Sequence, residues 1–339
     1  MCKEKVVLVT GATGFVGRHL CPALLKAGYA VRGTHVQPML PPGLPPGVEW
    51  TRIGTIGPDT DWSSALRIDT THIVHLAALA HRVLPEQRVP DERYDEINHL
   101  GTAQLARAVA QCRSVRRLLF MSSIGAVRTL SSDPVDERTQ CLPETPYGRS
   151  KLAGERAIEA ILGSATADWC IFRPPLLYGP GNPGNMQRLL QLLDLPLPLP
   201  LASIRNRRTF LYVANLVDAI GVGLEHAAAS RRTFCLGDPE DMGTSDLLKR
   251  LAAAGNRRLC LFPFPVMGLR AFARVGGWLA RCAGLRISLD GGAIEKLCGS
   301  LPVDSGLFRR ECGWKPPFTV EEGLRTLFSA PRAPIPSVS

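Results

Sequence analysis

Tyr147 and Lys151 stand four residues apart in Tyr-Gly-Arg-Ser-Lys, and Ser123 lies upstream in Phe120-Met-Ser-Ser-Ile124. On a helix, positions i and i+4 share a face, so Lys151 sits one turn beyond Tyr147. Thr145 is placed to cap that helix, and Pro146 to open it at its first position. A phenol with a pKa near ~10 is a poor base at neutral pH, and a neighbouring ammonium favours the phenolate. The pair therefore suits general acid–base work on a carbonyl or an alcohol. The Ser123 hydroxyl can hydrogen-bond the same oxygen. Taken alone, the Tyr-x-x-x-Lys spacing fits a solvated helix face equally well.

A second constellation gives the pair a redox partner. Thr10–Gly17 reads Thr-Gly-Ala-Thr-Gly-Phe-Val-Gly, between the apolar run Lys5–Thr10 and the helical stretch Phe15–Ala27. Gly11 allows a tight turn, Gly14 lets the backbone approach a diphosphate, and Gly17 lets the helix pack close to the sheet. The helix N-terminus adds free N–H groups and the positive end of its dipole. Gly11, Thr13, Gly14, Phe15, Val16 and Gly17 are thus the expected contacts of a nicotinamide dinucleotide. A plain glycine turn is the alternative, and its place at the first strand–helix junction argues against it. NAD-selective sites carry an acid at the end of the second strand. Here Val31-Arg32-Gly33-Thr34-His35 has none, and Arg32 or His35 can meet a 2′-phosphate. The cofactor is therefore NAD or NADP, with NADP favoured. A merely solvated Arg32 is the other reading.

The elements that must hold these groups alternate. Strands are expected at Lys5–Thr10, Ala30–Thr34, Glu49–Ile53, Thr71–Leu76, Arg117–Met121 and Asp168–Phe172. Helices are expected at Phe15–Ala27, within Asp91–Cys112, and at Tyr147–Leu162. This rhythm implies an α/β, doubly wound parallel-sheet Rossmann fold with a smaller, mostly C-terminal substrate domain. The expected dinucleotide-binding domain is 1–173 with about 208–238. The substrate domain is 174–207 with 239–328, and 329–339 is a disordered tail. Leu195–Leu201 alternates Leu and Pro and must be an edge or a loop. Thr209–Val213 and Thr233–Leu236 read as strands.

Composition narrows the function classes. The 339 residues are 45% hydrophobic, enough for a globular core, and carry a formal charge of +10. No dense Lys/Arg block with interleaved aromatics is present, so the surplus points to anionic metabolites rather than nucleic acid. The ten cysteines form no C-x-x-C and no zinc spacing, so no metal is expected. Reduced cysteines and the lack of a signal peptide point to the cytoplasm. No run reaches the ~18 apolar residues of a spanning helix. The basic apolar stretch Phe262–Leu285 either lies on a membrane surface or, as favoured, forms part of a helical substrate domain.

With the Thr10–Gly17 turn, His75-Leu-Ala-Ala78, Asn98 in Asn-His-Leu-Gly-Thr102, Ser122-Ser123, Tyr147-x-x-x-Lys151 and Arg173-Pro-Pro175, the chain resembles the extended short-chain dehydrogenases/reductases of the NAD-dependent epimerase/dehydratase family. The resemblance spans roughly 1–330. It implies that Ala77 and Ala78 line the cofactor and that Pro174, Pro175, Leu176 and Leu177 flank the nicotinamide. It makes Ser123, rather than Ser122, the catalytic serine, and places Asn98 on the substrate side, supporting an active-site water network. Arg208, immediately before Thr209–Val213, would contact a nucleotide-sugar diphosphate. A homodimer is also implied. The chain departs from the pattern at the missing second-strand acid, at Thr55 in place of an adenine-binding Asp, and at Gly125-Ala-Val-Arg128.

Asp59–Leu66, Arg205–Arg208, Val213–Asp218 and Val303-Asp-Ser305 with Gly313-Trp314 resemble bacterial enzymes that reduce or epimerise C4 of UDP-linked N-acetylated or 6-deoxy sugars for surface polysaccharide. Asn185, ending the glycine-rich Tyr178–Asn185 loop, either holds sugar hydroxyls or belongs to an ordinary turn. The favoured expectation is an NAD(P)H-dependent 4-ketoreductase acting on a UDP-sugar. The alternative is a UDP-sugar 4-epimerase with bound NAD or, less favoured, an epimerase of a lipid-linked sugar. A non-catalytic dinucleotide sensor is disfavoured, because Tyr147 and Lys151 are both kept.

Overall fold

Val6–Thr10 (β1) is buried along its whole length, which only a strand covered on both faces allows. In the computed structural model, which describes residues 5–80, 89–182, 185–194, 197–269, 271 and 291–329, β1 lies third in a seven-stranded sheet. The other strands of the described residues, divided between this sheet and a smaller one, are β2 (Ala30–His35), β3 (Glu49–Arg52), β4 (Thr70–His75), β5 (Arg117–Met121), β6 (Asp168–Arg173), β7 (Leu176–Tyr178), β8 (Arg208–Tyr212), β9 (Arg232–Cys235) and β10 (Asp241–Met242). The large sheet runs β3-β2-β1-β4-β5-β6-β9, with every pair parallel. The strand order reverses between β1 and β4, and that switch opens a crevice at the carboxyl ends of the strands.

Helices cover both faces. On one side α1 (Phe15–Lys26) and the later helix Val213–Glu225 pack Leu20, Cys21, Leu24, Leu216 and Ile220 against Val7, Val9 and Phe172. On the other, Gly101–Gln111 and Pro146–Leu162 pack Leu105, Val109, Ile158 and Leu162 against Leu8, Ile73 and Phe120. The expected helix over Asp91–Cys112 is not one regular helix. It is one turn of α-helix at Asp91–Tyr94, a π-helical turn at Asp95–Leu100, and α-helix again over Gly101–Gln111.

A second sheet, β10-β8-β7, has its own core with Tyr178, Phe210, Leu248 and Leu324. Arg208–Tyr212, which the sequence reading grouped with the dinucleotide half, pairs here with β7 and β10. The chain returns to the large sheet with the helix that starts at Val213. Buried Asp238 ties the parts together: it accepts from the Tyr178 hydroxyl, the Tyr212 N–H and the Asn215 amide at 2.8–3.0 Å. In the Leu-Pro segment, Leu199 makes only an isolated bridge to Leu261. Most of Phe262–Leu285 and all of the tail beyond 329 lie outside the described residues. Among the described residues, no helix is long and apolar enough to cross a membrane.

Candidate active site

The glycines of the first turn make a cradle that no side chain can enter. Gly11 has φ +67°, and a Cβ there would lie 2.7 Å from the Ala77 nitrogen. A Cβ at Gly17 would lie 2.6 Å from the Ala12 carbonyl carbon, and one at Gly14 would lie 3.2 Å from the Gly11 oxygen. α1 starts at Phe15 with no side-chain cap and no acid in its first turn. Its leading N–H groups thus remain for an anion, with the dipole behind them. These features fit the diphosphate of a dinucleotide. Ala77 and Ala78, both partly buried, follow β4 directly against this turn. Thr13, Phe15 and Val16 are partly buried around it.

Arg32 is not at the crevice, which corrects the expectation that it reads a 2′-phosphate. It lies in the middle of β2, buried, with its guanidinium 3.2 Å from both Glu49 and Asp69 and bonded to Thr70 at 3.1 Å. Strand alternation explains this. Gly33 faces Ala12 and Trp50, so Arg32 must face the opposite side, beside Ala65. His35, at the end of β2, shares a hydrogen bond with the Gln37 carbonyl at 3.0 Å.

The catalytic helix begins as its sequence implies. The Thr145 hydroxyl accepts from the Gly148 N–H at 3.0 Å, and Pro146 opens the first turn. A Cβ at Gly148 would collide with the Gly125 carbonyl, so this glycine lets the helix meet the turn after Ser123. The Ser123 hydroxyl accepts from Gly125 N–H at 3.1 Å and shares a hydrogen bond with the Tyr147 hydroxyl. The Ile124 N–H donates to Pro174 at 2.9 Å, which brings Pro174 beside the same turn. Lys151 is buried; its ammonium donates to the Met121 carbonyl at 2.7 Å and lies 4.7 Å from the centre of the Phe120 ring.

Burial sets the protonation of this pair. It raises the Tyr147 phenol to about 12, against a smaller lowering from the Ser123 hydrogen bond. It lowers Lys151 to about 7, against an opposing pull from Glu155. In this geometry Lys151 does not draw Tyr147 down, contrary to the electrostatic expectation from their spacing. Tyr147 is a neutral proton donor at physiological pH.

Sequence reasoning missed Glu155, although the spacing 147, 151, 155 marks one helix face. Glu155 forms a buried ion pair with Arg173 at 2.6 Å and accepts from Ser122. Ser122 is thereby occupied, which leaves Ser123 to serve Tyr147. Asn98 also departs from its expected place on the substrate side. Its side-chain oxygen accepts from Leu79 N–H at 2.7 Å, and its nitrogen donates to Leu79 and Ser150 at 3.0 Å. It holds the loop after β4 to the catalytic helix. Arg208 is half-buried at the start of β8, donates from Nε to Gly299 at 2.8 Å, and has its pKa lowered by burial. Asn185 is the first residue of the helix Asn185–Leu193, and its side chain lies outside the described residues.

Comparison with known proteins agrees with this geometry. Residues 7–237 match the model of the NAD dependent epimerase/dehydratase family. A UDP-glucose 4-epimerase of Vibrio cholerae is 31% identical over 325 residues, covering 95% of this chain and 94% of that protein. An N-acetyl-alpha-D-glucosaminyl-diphospho-ditrans,octacis-undecaprenol 4-epimerase of Escherichia coli O157:H7 is 26% identical over 336 residues, with 95% and 94% covered. A UDP-glucuronic acid 4-epimerase of Bacillus cereus, solved with NAD, shares the fold with a TM-score of 0.72 at 22% identity, and 96% of each chain is covered. The family match and the full-length relatives show that the chain is an enzyme of the NAD dependent epimerase/dehydratase family, within the extended short-chain dehydrogenases/reductases.

Proposed function

We propose that this protein is an NAD-dependent 4-epimerase of a UDP-linked hexose, with N-acetylated sugars the favoured class. The observation that carries this reading is the Ser123–Tyr147 hydroxyl pair beside Lys151, at the crevice where the Gly11–Gly17 cradle opens. Both relatives named above that share at least a quarter of the sequence are 4-epimerases by name. The ion-paired Arg32 removes one of the two arguments for NADP, the other being the missing acid at the end of β2.

NAD supplies the hydride acceptor and donor at C4. The protein's part is to hold the sugar and move a proton. Tyr147 exchanges the proton of the C4 hydroxyl in each direction, and Ser123 hydrogen-bonds the same oxygen. Lys151, one helical turn on and with its charge disfavoured by burial, is assigned to the nicotinamide ribose beside the same site. Gly11, Thr13, Gly14, Phe15, Val16 and Gly17 would hold the dinucleotide, with Ala77 and Ala78 lining it and Pro174 flanking the nicotinamide. Arg208 is assigned to the sugar nucleotide by the family resemblance, which also supports a homodimer, and Asn185 by the amide side chains of its glycine-rich loop; the reduced cysteines support the cytoplasm.

The test is to incubate the purified protein with UDP-glucose and UDP-N-acetylglucosamine and to follow both the C4 epimer and cofactor absorbance. Interconversion without net cofactor change is expected. Stoichiometric oxidation of NADH or NADPH by a 4-keto sugar, with no interconversion, would replace this reading with the 4-ketoreductase.

A further inference from the structure

We propose that His75 is a positioning residue: an Nε2–H imidazole that holds the phosphate turn and the catalytic helix in fixed register. Its proton order follows from its neighbours. The Asn98 main-chain carbonyl can only accept, so the Thr102 hydroxyl donates to it at 2.7 Å. Thr102 is left with a lone pair, to which His75 Nε2–H donates at 3.0 Å. On the other side, Ala77 N–H donates to the Thr10 hydroxyl oxygen at 3.3 Å, and Thr10 passes its own proton to Nδ1 at 2.6 Å. The ring is wholly buried, and burial together with the charge of Lys151 pushes its pKa down to about 3. It has one donor and one acceptor, and each has one fixed partner.

The partners give this ring its role. Thr10 ends β1 and opens the phosphate turn, and the Ala77 nitrogen is the atom against which Gly11 packs. On the far side, Thr102 anchors the backbone of Asn98. The Asn98 amide donates to Ser150 at 3.0 Å, and Ser150 donates to the Tyr147 carbonyl at 2.9 Å. The imidazole also stacks on Phe120, with centroids 5.5 Å apart and planes 24° apart, and Phe120 is the ring that carries the Lys151 ammonium. One side chain therefore touches the supports of the cradle, of Tyr147 and of Lys151. An apolar replacement would fill the space but strand the Thr10 and Thr102 hydroxyls in a dry interior.

The inference rests on the dinucleotide-binding part of the proposed function, and two measurements test it. In the parent protein, 15N spectra of labelled histidine at pH 7 should show His75 with a protonated Nε2 and a bare Nδ1, identified by the signal lost in His75→Gln. The Nδ1–H form would overturn the proton order. Fluorescence titration with NADH should show Kd raised ~10-fold in His75→Leu and partly restored in His75→Gln, which keeps an amide donor and acceptor. A residue that merely fills the core would lower the melting temperature yet leave the folded fraction binding NADH as the parent does, and that result would overturn the coupling alone. A parent that failed to bind NADH would overturn the functional reading and the coupling together.

Discussion

Replacing Lys151 with Met should abolish turnover and yet stabilise the fold near neutral pH. In the fold Lys151 titrates at about 7 against an ordinary 10.5, so burial disfavours its charged form. Between these values the unfolded chain binds more protons than the folded one, so stability rises with pH across the window. Below about pH 7 the full penalty applies. At 1.36 kcal/mol per pH unit, the fall from 10.5 to about 7 is worth roughly 5 kcal/mol. Methionine removes that penalty but leaves the Met121 carbonyl without its donor, at about 1–3 kcal/mol. The variant should therefore be the more stable protein at pH 6.5, by about 2–4 kcal/mol, and the less stable one above pH 10. Urea unfolding of both proteins at pH 6.5 and 10 measures the difference, and the titrating groups that do not feel the Lys151 charge cancel between them. A difference that does not change with pH would refute the reasoning, because a Lys151 with an ordinary pKa would give that result.

Other substitutions probe the neighbouring parts. Tyr147→Phe should lower kcat by about 10²–10⁴ and leave the NADH Kd unchanged, as read by turnover and fluorescence. Arg32→Ala should destabilise the fold, by denaturant midpoint, and leave the ratio of NAD to NADP affinity as it was. A changed ratio would show that the arginine reads the phosphate after all. Arg173→Met strands the Glu155 carboxylate and should cost about 3–5 kcal/mol of stability. Pairing it with Glu155→Leu should recover much of that loss, as a double-mutant cycle would show.

Local chemistry made much of this architecture readable. An unbroken apolar run such as Val6–Val9 allows little but a covered strand, and the Thr145 cap with Pro146 at the first position marks where the catalytic helix begins. The glycine spacing of the cradle is legible because each glycine answers a backbone constraint. What could not be read depends on which way a side chain turns in three dimensions. Arg32 was visible as a charge near the second strand, but its direction is set by the neighbours of Gly33 and by Glu49 on another strand. Asn98 was visible in a motif, but the partners that occupy its amide, Leu79 and Ser150, are distant in sequence. Glu155 shared a helix face with Tyr147 and Lys151, and only its buried partner Arg173 shows why a carboxylate stands there.

The π-helical turn at Asp95–Leu100 makes this stretch unusually sensitive to changes in chain length. Such a turn holds one residue more than a regular helix does. Deleting that extra residue would let the helix run regularly into Gly101 with the segments on either side keeping their faces, so the change would fall on the turn itself. The Asn98 side chain would shift from its place against Leu79, and the loop after β4 would lose its tether. Drift in length among homologous chains should therefore collect in connections such as the proline-rich loop 38–47. This short segment should keep a constant residue count even where its identities change.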